Sequence, residues 1–192
     1  MTPVKYLLPC LVLTTQLCYG QTIHNKDFNW TITIPQGFDS VSREQWAKMQ
    51  NKGAKAVEDT YDKKFVNRAK TIFVFRSDQF NYFESNYQPF DTAKDGNYVE
   101  ACRAVDNILY ETFTTQMSGV KLDTTQTTEM IDGLEFQVFM LKAKYPNDMV
   151  LNAIMFSRLF GKKEFTVNIM YVDDKKGRQM LNAWTSSRFS KQ

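Results

Sequence analysis

The amino-acid sequence predicts an α+β fold, an antiparallel sheet flanked by helices in a three-layer α/β/α sandwich. Three observations carry this. Leu134–Tyr145, Met149–Phe160 and Glu164–Val172 read as successive strands joined only by the turn-forming segments Pro146-Asn147-Asp148 and Gly161-Lys162-Lys163, and connections that short pair strands antiparallel. Apolar side chains occupy both faces near the strand centres, with Leu134, Phe136, Val138 and Met140 on one side of the first strand and Phe139 and Leu141 on the other. Such a sheet needs cover on both sides, and segments of helical periodicity before and after it supply that cover.

In order, the chain opens on Met1–Gly20, where Lys5 is the only charge, an apolar run spans Tyr6–Leu13, and Cys18-Tyr19-Gly20 ends the segment with small residues. This is the pattern of a signal peptide, and its apolar run is shorter than the roughly 20 residues needed to span a bilayer. Cleavage after Gly20 is expected, leaving 21–192 as a single exported domain without a transmembrane span, periplasmic or secreted. The alternative is a lipoprotein anchored at Cys18, although the bulky Leu17 beside that cysteine fits lipoprotein processing poorly.

Gln21–Asp27 predicts a frayed start. Phe28-Asn29-Trp30-Thr31-Ile32-Thr33-Ile34 alternates strictly, which predicts a half-buried strand near a sheet edge, ended by Pro35-Gln36-Gly37. Ser42-Arg43-Glu44-Gln45 resembles a capping box. After it Trp46, Met49, Gly53, Val57 and Tyr61 recur at helical spacing, and Gly53 either permits close packing on the sheet or divides two helical pieces. Thr71–Arg76 predicts an apolar strand and Phe80–Phe90 a second extended stretch. Tyr98–Met117 predicts a helix with Val99, Cys102, Val105, Leu109 and Phe113 as its inner stripe, stopped by Gly119. Leu122–Met130 is Thr-rich and therefore extended, and Asp132-Gly133 is a two-residue hairpin turn into the three-strand run. Asp173-Asp174 begins a last helix with Gly177, Met180, Leu181, Trp184 and Phe189 on its apolar side and Arg188 and Lys191 at its C-terminal end.

Taken together, the strand Phe28–Pro35 before a helix beginning at Ser42, the run Gly133-Leu134-Glu135-Phe136 opening a long meander, and the closing helix with Asp173-Asp174, Leu181 and Ser186-Ser187-Arg188-Phe189 resemble the PsbP-like superfamily and its bacterial relatives of unassigned function. A Ran-binding nuclear transport factor uses the same fold. The resemblance covers most of the chain after the leader and rests on element order and soft motifs. It implies a sheet flanked by helices that acts as a binding or assembly module without a cofactor of its own. Members bind different partners, so the fold does not settle function, and no functional residue is carried over.

Composition narrows the function classes. Loss of Met1–Gly20 removes one Lys and no acid, which leaves 23 basic residues against 21 acidic and a net charge of +2. That balance does not suit an electrostatically driven nucleic-acid binder. Cys10 and Cys18 leave with the leader, so Cys102 is alone and stability rests on the hydrophobic core rather than on a disulfide. A lone thiol is reactive, pairs between chains, or fills a buried position on a helix as a small apolar residue; the last is expected. His24 is the only histidine and falls in the expected frayed start, so neither a His-dependent triad nor a His/Cys zinc site has material. Asp173-Asp174, Asn147-Asp148 and Glu58, Asp59 and Asp62 carry oxygen ligands, but none has calcium-loop spacing and adjacent acids are more often caps or solvated faces. No metal and no cofactor is expected. Lys162-Lys163 and Lys175-Lys176 with Arg178 fall in predicted turns, where they meet an anionic lipid or polymer or simply face solvent. Asn29-Trp30-Thr31 fits a glycosylation pattern but lies inside a predicted strand.

The most suggestive segment is Phe80-Asn81-Tyr82-Phe83-Glu84-Ser85-Asn86-Tyr87-Gln88-Pro89-Phe90, five aromatics interleaved with amides and one acid. Rings with polar handles can stack on a sugar or grip a peptide; the competing reading puts Phe80, Phe83 and Tyr87 into core contacts. Tyr82, Asn86 and Tyr87 are the candidate ligand-binding residues. The resulting expectation is a non-enzymatic exported binding or assembly module of the bacterial cell envelope, with an envelope protein, a glycan or a lipid as partner. A carboxylate-dependent hydrolase stays open as the alternative, with an acidic pair converging in a pocket as its mark.

Overall fold

A computed structural model describes residues 20–64 and 66–190. The expected leader through Tyr19, including Cys18, and Lys191 lie outside the described residues. The elements in chain order are β1 Thr22–Asn25, β2 Trp30–Thr33, β3 Asp39–Ser40, α1 Arg43–Tyr61, β4 Lys70–Arg76, β5 Tyr82–Pro89, α2 Thr92–Asp95, α3 Tyr98–Gln116, β6 Lys121–Ile131, β7 Leu134–Lys144, β8 Val150–Phe160, β9 Lys163–Tyr171, α4 Asp174–Thr185 and β10 Arg188–Phe189. Seven strands form the main sheet in the order β3-β4-β5-β9-β8-β7-β6, and β1-β2-β10 form a small second sheet. Every pairing is antiparallel, as the short connections require.

Local chemistry explains the main boundaries. The Ser42 hydroxyl accepts from the Gln45 N–H at 3.3 Å and starts α1. Asn97 accepts from the N–H groups of Val99 and Glu100 at the start of α3, and Asp173 from those of Lys175 and Lys176 at the start of α4. Asp132 and Gly133 both take positive φ, 49° and 78°, the type I′ geometry whose twist suits the hairpin between β6 and β7. Gly177 is required where α4 crosses β9, because a Cβ there would lie 2.5 Å from the Tyr171 ring.

The two faces of the main sheet are covered differently. On one side α4 and the small sheet bury an aromatic core around Trp30, which stacks on Phe73 at 5.2 Å and meets Trp184 edge-on at 6.0 Å. Phe75, Phe83, Phe136, Phe156, Phe165 and Phe189 belong to the same buried cluster. On the other side α1 and α3 lie over β5, β9, β8 and β7, with Phe139, Leu141, Ala143 and Leu151 buried beneath α3. Of the residues of α1 only Trp46 is buried, and on α3 only Cys102, Asp106 and Thr112 are. Leu109 and Phe113 of the expected inner stripe are half-buried and Val105 is 39% exposed. The helices stand off the sheet where Gly53, Ala54 and Ala153 supply little side-chain volume. A Cβ at Gly53 would meet nothing within 4 Å, so this glycine leaves space rather than permitting a close approach, and α1 runs through it unbroken.

Three short elements depart from the expectations. Thr22–Asn25 is not frayed: it pairs with β2, and Thr22 and His24 hydrogen-bond across to Thr33 and Thr31 at 3.1 and 2.9 Å. β2 is therefore the middle strand of the small sheet rather than an edge, and it begins only at Trp30 because Asn29 turns the chain with φ 48°. Phe189 leaves the last helix, which ends at Thr185. The Phe189 N–H donates to the Asp132 carboxylate at 2.7 Å, and the side chain joins the aromatic core from β10. These segments are held by pairing, β1 with the strand that follows it and β10 with partners distant in sequence, which periodicity does not register.

Candidate functional site

The gap between the helical layer and the sheet is a cavity of about 570 Å³, within the usual range for small-molecule sites. Its walls are apolar and come from both helices and the sheet: Trp46, Met49 and Val57 on α1, Leu109 and Phe113 on α3, and Leu141, Met155 and Met170 from the strands. Its floor carries a polar stripe built by strand parity. Tyr82, Glu84, Asn86 and Gln88 alternate toward the helices on β5, and Glu164, Thr166 and Asn168 do so on β9. The pairing sets Glu84 opposite Asn168, Asn86 opposite Thr166 and Gln88 opposite Glu164. Ser157 adds a hydroxyl from β8, opposite Thr166.

Glu84 is the most elaborately held group. It is 7% exposed; its Oε1 accepts from Trp46 Nε1 at 2.8 Å and Gln50 Nε2 at 3.0 Å, and its Oε2 accepts from Asn168 Nδ2 at 3.1 Å. All three are neutral donors. Burial raises its pKa above the ordinary carboxylate range, and these hydrogen bonds oppose the rise without a cation to help them. Glu164, 8% exposed, accepts from Gln88 Nε2 and is likewise pushed up by burial. The buried Tyr98 hydroxyl lies near enough to Glu164 and Cys102 to feel their charge, and its pKa is pushed strongly up by burial, although it makes no well-formed hydrogen bond. Trp46 and Tyr82 meet edge to face at 5.0 Å beside Glu84, and the phenol of Tyr82 is raised by burial and then by the Glu84 charge.

A smaller cavity of about 250 Å³ adjoins the first under α3, and Cys102, Phe139, Met155 and Ser157 line both. It holds Asp106, 6% exposed, whose Oδ2 accepts from Gln126 at 2.9 Å while Oδ1 has no hydrogen-bond partner. Burial raises this carboxyl to about 6. The Cys102 thiol is pushed up to about 11, also by burial, so it stays protonated at neutral pH and is a poor nucleophile. At the far end of the helical layer, Tyr61 donates to Glu111, and Gln116 Nε2 reaches Thr60 Oγ1 at 3.3 Å, tying α1 to α3.

Of the three residues singled out in the sequence, Tyr82 and Asn86 line the cavity together. Tyr87 points to the opposite face, where it meets Phe28 edge-on at 5.7 Å and Lys163 lies over its ring. Two-residue alternation separates them, so no single surface presents all three. Phe83 is fully buried, whereas Phe80 is 44% exposed. Glu164, Thr166, Asn168 and Ser157 were not singled out. Their signal was the polar alternation at 164, 166 and 168 matching that at 84, 86 and 88, which by itself reads as a solvated strand face. Glu84 and Glu164 share the cavity and are held by different partners. Glu164 sits opposite Gln88, four residues along β5 from Glu84, a backbone separation of roughly 13 Å at about 3.3 Å per residue.

No family profile matches the chain, and no curated protein matches it by sequence. The fold itself is PsbP-like. The solution structure of cyanobacterial PsbP (CyanoP) from Synechocystis sp. PCC 6803 superposes with a TM-score of 0.57 over 92% of this chain and 96% of that one, at 10% identity. The likeness is one of fold, as the element order from Phe28 to Phe189 had suggested. Among the described residues no helix is long and apolar enough to cross a membrane.

Proposed function

We propose that this protein is a non-enzymatic exported binding module of the bacterial cell envelope, and that it holds a small amphiphilic molecule between α1, α3 and the sheet. The observation that carries the reading is the cavity of about 570 Å³ with apolar walls over a polar floor. A filled core would be more stable than this gap, since an unfilled apolar cavity costs on the order of 20 cal/mol per Å² of its surface. The opposite face of the same sheet, packed with interlocking rings, is the comparison within the molecule. Among the three partner classes, a lipid-sized amphiphile suits an apolar chamber better than a glycan, whose hydroxyls need more polar partners than one stripe supplies. The export and envelope parts of the reading rest on the leader.

The test is binding of the neutral dye 1-N-phenylnaphthylamine, followed by its fluorescence. Wild-type protein is expected to bind it with a Kd on the order of micromolar. Ala153→Phe, which inserts a ring from the sheet floor, and Gly53→Leu, which adds volume from the helix wall, are expected to weaken binding at least about tenfold. Both should keep the native circular dichroism spectrum, and Gly53→Leu also gains helix propensity. Absence of dye binding, or equal binding by both filled variants, contradicts the proposal.

A further inference from the structure

From the charge of the cavity we infer that the ligand's polar end is a cation, a protonated amine or quaternary ammonium carried on an apolar body. This rests on the cavity being a ligand site and says what the site selects. Two acids, Glu84 and Glu164, line the cavity, and no lysine, arginine or histidine does among the described residues. That is a local excess of negative charge in a chain whose net charge is +3. Among the described residues neither acid makes an ion pair; those that involve Asp27, Asp78, Asp91, Asp132 and Asp148 all lie elsewhere. Burying a carboxylate without a counter-ion is costly, and a protein that needed only to fill this position could use glutamine.

The partners of Glu84 all donate to it and none is charged, so a ligand cation would be its only counter-charge and would hold it ionised against the effect of burial. An indole N–H can only donate, and Trp46 Nε1 shares Oε1 with Gln50 while Asn168 takes Oε2. These neutral donors, with the Asn86 amide close enough to act with them, surround the two oxygens. They orient the group and supply no charge opposite to a carboxylate's. The Trp46 and Tyr82 rings stand beside it, 5.0 Å apart and at 65°, with the N–H edge of the indole turned to the carboxylate. The apolar walls then take the remainder of the ligand.

Glu84 also pins α1 to the sheet, so the test must separate selectivity from stability. Dodecyltrimethylammonium and dodecanol share an alkyl chain and differ in their heads. Each is titrated, below its micelle concentration, against protein loaded with 1-N-phenylnaphthylamine. The cation is expected to displace the dye at a concentration at least about tenfold lower than the alcohol. In Glu84→Gln the ratio of the two competing concentrations should fall toward one, whatever happens to each alone; Glu164→Gln provides a second variant should Glu84→Gln fold poorly. Equal competition by the two chains, better competition by the alcohol, displacement by neither, or an unchanged preference in both variants overturns the inference. If the dye binds and only the preference is missing, the cavity remains a ligand site and the cation is wrong. If the dye itself does not bind, the underlying reading falls with it.

Discussion

Asp106 shows what a single buried acid does to this molecule. One oxygen accepts from Gln126 and the other from nothing, and burial raises the folded pKa to about 6 from an ordinary 3.8. A carboxyl raised in this way favours the folded state below the unfolded pKa, near 4, and that contribution is lost as the pH rises through about 6. Asp106→Asn keeps an acceptor for Gln126 without the charge. It is therefore expected to stabilise the protein at pH 7 by about 1–2 kcal/mol and to change stability little at pH 4. Urea unfolding at the two values reads both outcomes, and destabilisation at pH 7 would contradict the account. Glu84 and Glu164 illustrate why such residues are hard to read in a sequence. A polar side chain at alternate strand positions looks the same whether water or a helix lies above it. Tyr82 and Asn86 could be singled out by composition, but Tyr87 came with them because composition ignores parity.

Elements were legible wherever local chemistry sets them. Ser42 and Asp173 cap the helices they were expected to cap, Asp132-Gly133 makes its hairpin turn, and the three strands after it follow the expected order. Elements that exist by pairing were not legible: β1, with four polar or half-exposed residues, and β10, with one exposed and one buried residue, owe their form to β2. The contact between α4 and β9 sits between these cases. Gly177 was placed on the apolar side of its helix, but only the structure shows the Tyr171 ring against it. Gly177→Ala gains helix propensity, worth about 1 kcal/mol, yet must displace that ring or the helix. A net loss of about 1–3 kcal/mol is expected, read from the shift of the urea midpoint at unchanged slope. A more stable variant would mean that the close approach is not needed.

At the scale of the whole molecule, one sheet carries two unlike layers. The face under α4 and the small sheet is closed by aromatic packing around Trp30 and Trp184, and the face under α1 and α3 is left open around a polar stripe. The three-layer order was legible because amphipathic helices and a two-sided sheet demand it. The gap was not, because it depends on the small residues Gly53, Ala54 and Ala153 facing one another from elements a hundred positions apart in the chain. The central claim is that this gap holds a ligand. Native mass spectrometry of the protein purified from its own cells, without detergent, tests it most directly. The expected result is a stoichiometric small-molecule adduct that is lost on denaturation and absent from Ala153→Phe and Gly53→Leu. A bare polypeptide mass in the wild type, or the same adduct on both filled variants, would contradict it.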